Sequence, residues 1–229
     1  MKYFSKFDIN KADIKKLEDY NSRDGFLLVT KSDFNDMLEY FKQYTVYDNL
    51  IPILTDNNSN YWCLYVSGSL KGMICYLSHA ELSLEPKFIG ISELINTIDE
   101  NPDVYDFDEL NFQLFDFPIK SDNINLNDRE IIIAKLKAEL VSKEQEDVRQ
   151  QLAYSIMTLT SNSEIETNIY PFLEDDDMYI QERAIQIIGF HKYKPARNKL
   201  IELTKTAMVN GKSAAGKALN ELNKTAKNV

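Results

Sequence analysis

The spacing of apolar residues changes near residue 125, and this change indicates a mixed fold in two parts. Before it, short apolar runs alternate with Gly, Asn, Asp and Pro. After it, apolar residues recur at helical spacing, and only Pro171 and Pro195 interrupt them. With 229 residues the chain is long enough for two domains. We therefore predict an α+β domain over residues 1–120, a linker over 121–128 and an all-α domain over 129–229.

The first part is predicted to place helices around an antiparallel sheet. Apolar runs between polar turns predict strands at GFLLVT (25–30), LIPIL (50–54), YWCLYV (61–66), GMICYL (72–77) and LNFQLF (110–115). Helices are predicted at 10–20, 32–44 and 92–98, with Asn10, Ser32 and Ser92 as their caps. Because most of these strands follow one another through short turns, we expect a central antiparallel meander with flanking helices.

The second part is predicted to be helical throughout, with its helices in repeated pairs. Three capping boxes mark helix starts, at Asn127 with Glu130, Ser142 with Gln145 and Ser163 with Glu166. Apolar positions of 147–159 recur in 178–190 at an offset of 32, and a weaker third copy begins near residue 212. Another amphipathic segment precedes each copy. Paired helices that repeat at this period are typical of an α-solenoid.

The candidate metal ligands form no recognised metal-binding pattern. Cys63 and Cys75 would lie opposite each other in a hairpin, which leaves a cross-strand disulfide or, as the favoured alternative, two buried thiols. Adding His79 and His191 gives no zinc-ligand spacing. The loop after residue 55 starts like a calcium loop, but Tyr61 stands in place of its glycine. We predict an ordinary hairpin loop there, and neither a metal nor another cofactor.

Signals for nucleotide binding and catalysis are weak. In TAMVNGKSAAGK, residues 206–217, Thr206 replaces the first glycine of a phosphate-binding loop, and Gly211 is interpreted as the end of a helix. Nucleophilic catalysis needs a base beside the nucleophile. Of the two histidines, His191 is expected at a helix end and His79 after a strand, and neither accompanies a nucleophile motif. We predict that the chain is not an enzyme.

Negative charge is concentrated in the first part. Residues 1–128 carry 11 Lys and Arg against 22 Asp and Glu, a net charge of −11, whereas residues 129–229 carry 15 against 14, a net charge of +1. Binding to nucleic acid through its phosphates needs a basic face, so no nucleic-acid partner is expected. The pattern suits a basic protein partner, although an acidic surface that serves solubility would look the same.

One segment, residues 99–116, combines acidic and aromatic residues and lacks Lys and Arg. Aromatic side chains bury area in an interface, and surrounding charges speed the encounter with a basic protein. In the alternative interpretation, Tyr105 and Phe107 return to the core. The partner-binding residues predicted on this basis are Asp99, Glu100, Asp103, Tyr105, Asp106, Phe107, Asp108 and Glu109.

The sequence shows neither a membrane span nor an export signal. No apolar run approaches the roughly 20 residues that cross a bilayer. The start of the chain, MKYFSKFDINKADIKK, lacks the apolar segment of a secretory signal. We therefore expect a cytoplasmic protein without a membrane partner, and the sequence leaves its oligomeric state open.

The order of elements over residues 10–118 resembles the SUKH superfamily, which includes fungal cell-wall-synthesis regulators and many bacterial immunity proteins. In that family a strand with Ile-Pro, a polar turn, an aromatic and aliphatic strand, a second turn, a strand ending near His and a helix occur in this order. The matching positions are Ile51, Pro52, Trp62, Leu64, Gly72, His79, Ser92 and Leu94. Ser59 and Asn60 replace the glycine-aspartate often found in the first turn. The second part resembles HEAT repeats.

The first resemblance implies a cytoplasmic protein that binds a toxin from neighbouring cells and neutralises it by covering its active site, without a cofactor. Many such toxins are nucleases with basic surfaces, which agrees with the acidic first part. The fungal relatives suggest instead a regulatory scaffold whose solenoid holds an endogenous protein partner. A third alternative is an enzyme related to HEAT-containing pigment lyases, which would need a polar cluster inside the solenoid, and only EDDD, residues 174–177, resembles one.

Overall fold

The computed structural model describes residues 3–106, 109–110, 112–120, 128–143 and 145–224. The chain divides into two compact units, a first unit of Met1–Phe117 and a second unit of Pro118–Val229. This division falls close to the predicted boundary at residue 120. The predicted linker, 121–128, lies outside the described residues except for Asp128.

The described part of the first unit contains an antiparallel sheet and three α-helices. In chain order its elements are α1 (Lys11–Glu18), β1 (Leu27–Leu28), α2 (Lys31–Phe41), β2 (Leu50–Thr55), β3 (Tyr61–Tyr65), β4 (Ile74–Leu77), β5 (Pro86–Phe88) and α3 (Ile91–Glu100). Each strand pairs with the next one along the chain. The predicted mixed fold with an antiparallel meander is confirmed.

The last predicted strand, 110–115, is wrong, because Phe112–Leu114 forms a short 3₁₀ helix. The fifth strand is Pro86–Phe88, whose apolar pattern is too short to predict a strand. Proline donates no backbone hydrogen bond and is tolerated at the edge of a sheet. The backbone nitrogens of Asp116 and Phe117 donate to the carbonyl oxygen of Lys87 at 2.9 and 3.2 Å. The end of the segment therefore binds to β5 without forming a strand.

Two of the three described helices of the first unit begin with a side-chain cap. Asn10 caps α1, as predicted. Thr30, and not Ser32, caps α2, because the Thr30 hydroxyl accepts a hydrogen bond from the backbone nitrogen of Asp33 at 3.2 Å. The predicted cap Ser92 lies inside α3, which Gly90 precedes. Both serines stand within the first turn, where a small polar residue is also compatible with the helix.

The core of the first unit is rich in aromatic side chains. Trp62 on β3 is fully buried, and its ring centroid lies 5.1 Å from that of Tyr76 and 5.5 Å from that of Phe88. Phe115 joins them at 6.0 Å from Trp62. Other buried members of this core are Phe4, Leu17, Phe26, Phe34, Ile51, Ile53, Leu94 and Ile98. Packing of Phe115 against Trp62 therefore holds the end of residues 110–115, the predicted last strand, against the core.

Cys63 and Cys75 lie directly opposite each other in the β3–β4 pair, as the hairpin predicts. Both residues are fully buried, and both thiols are free. Of the two alternatives, the buried thiols are confirmed. Burial raises the pKa of each thiol, so neither ionises readily in the folded chain.

The described part of the second unit is helical, as predicted. Its α-helices are α4 (Arg129–Val141), α5 (Glu146–Leu159), α6 (Ile165–Asn168), α7 (Met178–Phe190), α8 (Arg197–Thr206) and α9 (Val209–Lys224). α4 packs on α5, α5 packs on α7, and α9 contacts both α7 and α8. Among all helices of the described ranges, none has the length and apolar character needed to cross a membrane. The assignment to HEAT-like repeats stays a prediction.

Two predictions about helix boundaries are wrong. The amphipathic segment that precedes the second copy of the repeat, residues 164–174, is not one helix: it splits into α6 and the 3₁₀ helix Tyr170–Glu174, because Pro171 has no amide hydrogen with which to continue the helix. Gly211 does not end a helix but lies within α9. A Cβ atom at this position would come within 2.7 Å of Gln181 Oε1. The glycine therefore allows α9 to pass close to α7.

The capping boxes predicted for the second unit are displaced or absent. A capping box forms at Ser161 and Glu164, two residues before the predicted pair. Ser142 closes α4 instead of opening α5, since its hydroxyl donates to the carbonyl oxygen of Glu139 at 2.9 Å. The third predicted box begins at Asn127, which lies outside the described residues.

Candidate functional site

The predicted acidic segment begins at the end of α3 and continues into the loop that follows. Its described acidic members are Asp99, Glu100, Asp103, Asp106, Glu109 and Asp116. Phe107 and Asp108 lie outside the described residues. The described members are neighbours in one stretch of chain, and their role in binding stays a prediction.

Arg23 fixes the backbone of the acidic segment. Its guanidinium donates to the carbonyl oxygens of Ile98 at 3.0 Å and of Asn101 at 2.9 Å. It also donates to the carbonyl oxygens of Pro102, at 3.1 Å, and Val104. A cation is favourable at this end of a helix, where carbonyl groups have no partner within the helix. The sequence pattern did not predict this role of Arg23, because no local feature marks its hydrogen bond to the carbonyl oxygen of Ile98, 75 positions away.

Tyr105 presents its side chain to solvent, with 63% of its surface exposed. Its backbone nitrogen donates to Glu109 Oε2 at 2.9 Å. Its carbonyl oxygen lies 1.9 Å from the position that a Cβ atom on Gly25 would occupy. The interpretation in which Tyr105 returns to the core is therefore wrong. An exposed aromatic ring among carboxylates is consistent with the predicted partner surface.

A second aromatic surface, which the sequence pattern did not predict, lies at the end of α2. It consists of Tyr40, Tyr44 and Tyr47, which we call the tyrosine cluster. The ring centroid of Tyr40 lies 5.3 Å from that of Tyr44 and 6.0 Å from that of Tyr47. Buried Phe41 supports the cluster, 5.0 Å from the ring of Tyr47. Tyr40 and Tyr44 are 42% and 46% exposed, so the cluster is open to a partner.

A cleft of about 420 Å³, which we call the tyrosine cleft, lies beside the cluster. Tyr40 and Tyr47 line it together with Met37 of α2 and Tyr61 of β3. The remaining lining residues come from the β2–β3 loop, the end of β4 and the segment after it: Ser59, Leu77, Ser78, His79, Ala80, Glu81 and Leu82. Among the described residues that line the cleft, one is a carboxylate and none is Lys or Arg.

The β2–β3 loop, residues 56–60, borders the tyrosine cleft through Ser59. Asp56 Oδ1 accepts hydrogen bonds from two backbone nitrogens of the loop at 2.7 and 3.2 Å, and Oδ2 accepts from the side chain of Asn60 at 2.7 Å. Asn57 and Ser59 adopt left-handed backbone conformations, with φ of 59° and 64°. The carboxylate shapes a tight turn, and the predicted hairpin loop is confirmed.

Asn60 connects this loop to His79. Its Oδ1 accepts from the backbone nitrogen of His79 at 2.9 Å and lies 2.8 Å from Nδ1 of the same residue. Because a carbonyl oxygen can only accept, Nδ1 carries the hydrogen, and Nε2 of the neutral ring is an acceptor. The bond from Asn60 Nδ2 to Asp56 fixes the orientation of the amide. His79 therefore contributes a defined tautomer to the lining of the cleft.

The candidate metal ligands are not assembled in the part of the chain that the structure describes. Within it, no group of three or more His, Cys, Asp or Glu side chains could hold an ion. His191 follows the end of α7 in the second unit, as predicted, whereas Cys63, Cys75 and His79 belong to the first unit.

In comparisons with known proteins, no family model, curated protein or solved structure matches this chain. The resemblances to the SUKH superfamily and to HEAT repeats therefore rest on the sequence patterns alone. The two candidate surfaces rest on their own geometry.

Proposed function

We propose that this chain is an immunity protein whose first unit binds a basic toxin domain and neutralises it by covering its active site. The observation that supports a basic protein as the partner is the distribution of charge between the units. Residues 1–117 hold 20 Asp and Glu against 10 Lys and Arg, whereas residues 118–229 hold 16 of each. The net charge of −10 therefore belongs entirely to the first unit.

Concentrated negative charge favours association with a basic protein. Electrostatic steering raises association rates by about 10–10³-fold and weakens as salt is added. The exposed ring of Tyr105 adds apolar area to the acidic segment. Such inhibition needs neither a cofactor nor a catalytic residue of this chain. Nucleic acids and anionic membranes carry the same sign of charge as the first unit, so we expect neither as a partner.

The toxin as partner, and a cytoplasmic location, come from the resemblance of residues 10–118 to the SUKH superfamily. Charge alone supports only a basic protein partner. The two parts of the proposal therefore need separate tests.

The first test is rescue of toxicity. The C-terminal domain of the protein encoded directly upstream is expressed with and without this chain, and surviving cells are counted. Rescue together with a copurifying complex supports the immunity function. A harmless neighbour, or equal killing in both cases, contradicts it.

The second test is charge reversal in the acidic segment. For the double variant Asp103→Lys/Asp106→Lys, we expect association with the toxin domain to slow by about 10-fold at low salt, with a weaker salt dependence. The matched control reverses two exposed acids of the second unit, Glu146→Lys/Asp147→Lys, and should leave the rate within about twofold. Equal effects of the two double variants, measured by stopped-flow fluorescence, would remove the acidic segment from the proposal.

A regulatory scaffold is the second candidate, and exposed apolar side chains of the second unit favour it. Tyr179 at the start of α7, Ile201 on α8 and Val209 at the start of α9 are 50%, 42% and 80% exposed. Such residues can contact an endogenous protein partner. For a scaffold, Tyr179→Ser should weaken partner capture, whereas the charge reversal in the first unit should not. The opposite pattern in the same pull-down favours the immunity function.

A further inference from the structure

The tyrosine cleft has the chemistry of a binding site. It is an open concave surface of about 420 Å³, to which α2, the turn after α2 and β3 each contribute a tyrosine, namely Tyr40, Tyr47 and Tyr61. Aromatic side chains at the surface are typical anchors of protein interfaces because they bury large area at low entropic cost.

The electrostatic environment of the cleft is negative. Glu81 lines it, and none of its described lining residues is Lys or Arg. Burial is the largest cause that raises the pKa of the Tyr61 hydroxyl, and the negative charge of Asp33 is the next, so Asp33 places a further negative charge near the Tyr61 side of the cleft. When neutral, His79 adds an acceptor nitrogen and no positive charge. The cleft therefore offers aromatic faces and hydrogen-bond acceptors to a cation.

A neighbouring cleft provides an internal comparison. It has about 450 Å³ and shares Tyr47 with the tyrosine cleft. Its charged lining residues are Lys6, Lys42, Glu39 and Asp48, and Lys42 pairs with Glu39, so the positive and negative charges balance. Of these two clefts of similar size, only the tyrosine cleft therefore has a lining with a net negative charge.

We propose that the tyrosine cleft is a docking site for an arginine side chain on a basic segment of a protein partner. A guanidinium is planar and weakly hydrated, so it stacks on tyrosine rings while its N–H groups reach carboxylate and imidazole acceptors. A second copy of this chain fits poorly, because it would bring together two units of net charge −10. Nucleic acid and anionic membranes are also negatively charged, so they fit the cleft poorly for the same reason.

This inference goes beyond the proposed function, because the cleft is separate in sequence from the acidic segment and would serve any basic protein partner. The probe is the capped peptide Gly-Arg-Gly-Arg-Gly, added to the full chain, with binding followed by shifts of the tyrosine NMR signals. The control peptide carries citrulline, the neutral isostere, in place of each arginine. We expect saturable binding of the arginine peptide and at least a fivefold weaker response to citrulline.

Single substitutions then locate the peptide. Tyr40→Ser removes a ring of the cleft and should weaken binding at least fivefold, whereas Tyr40→Phe keeps the ring and should retain it. Tyr105→Ser removes the exposed ring of the acidic segment and should leave binding unchanged. Because Tyr40 is 42% exposed, we expect both of its variants to fold, which circular dichroism would verify.

Three results overturn the inference: no shift at millimolar peptide, equal binding of the citrulline peptide, or equal binding by Tyr40→Ser. Loss of binding in Tyr105→Ser alone would move the site to the acidic segment. None of these results bears on toxicity rescue. The docking site and the immunity function are therefore tested independently, and either can be rejected without the other.

Discussion

The two units bury their cores and use their surfaces differently. The first unit packs aromatic residues such as Trp62 and Phe88 against a sheet, whereas the second packs mainly Ile, Leu and Ala between helices. The first unit also carries the whole net charge of −10 and both candidate surfaces. Charge of one sign repels itself and opposes compaction. The second unit forms its core without net charge, so the charge of the first unit is better explained by a role of its surface, either the proposed binding or solubility.

The glycines of the two units also differ in what limits their substitution. In the first unit, Gly25 and Gly72 occupy turns with φ of 77° and 92°, where the backbone itself favours glycine. In the second unit, Gly189 and Gly216 lie within helices, where alanine fits the backbone better than glycine and only the surrounding space can oppose it. Substitutions by alanine at these four positions therefore test different physical causes in the two units.

The largest effect is expected for Gly25→Ala. The substitution strains a left-handed backbone and also places a Cβ atom 1.9 Å from the carbonyl oxygen of Tyr105. We expect the free energy of unfolding to fall by about 2–5 kcal/mol. Gly72→Ala, with a similar φ but no atom within 4 Å, should cost about 1–2 kcal/mol. Urea denaturation followed by the fluorescence of Trp62, the single tryptophan, measures both. Equal losses would mean that Tyr105 is not held against Gly25.

An intermediate effect is expected for Gly189→Ala on α7. Its Cβ atom would lie 2.9 Å from that of Ala218 on α9, and this overpacking should cost about 1–3 kcal/mol. Gly216→Ala on α9 is the matched control, because nothing lies within 4 Å, and it should stabilise the helix by about 0.5–1 kcal/mol. Far-UV circular dichroism during denaturation reports both variants. Stabilisation by Gly189→Ala would contradict the close α7–α9 packing.

The smallest effect concerns alkaline pH and the first unit. Burial raises the pKa of Cys63 in the folded chain, while an unfolded thiol has a pKa near 9.0. Below that pH the thiol is protonated in both states, and above it only the unfolded state loses its proton. The free energy of unfolding should therefore decline with rising pH, by about 0.8 kcal/mol from this thiol at about pH 9.5.

The variant Cys63→Ala isolates this contribution. Its free energy of unfolding should decline less than that of the parent chain over the same pH range, whatever the difference between the two at neutral pH. Parallel curves would show that the thiol ionises as readily in the folded chain as in the unfolded one.

Local patterns were sufficient for a large part of the fold. Turn chemistry predicts the β2–β3 loop because Asp56 bonds to residues two and four positions away. Apolar periodicity predicts the helices, and the alternation of strands with short turns predicts the meander. The charge asymmetry that carries the proposed function is likewise a property of the sequence, since a count of residues needs no coordinates.

Contacts between distant residues decided the rest. Residues 110–115 alternate like a strand, yet Phe115 packs on Trp62, and Pro86–Phe88 occupies the edge of the sheet instead. Arg23 reaches the carbonyl oxygens at the end of α3 only because the chain returns there. The tyrosine cleft likewise joins α2 to β3 and to the segment after β4. Periodicity acts over a few residues and was visible in the sequence, whereas these arrangements depend on packing between distant segments, which only the tertiary structure determines.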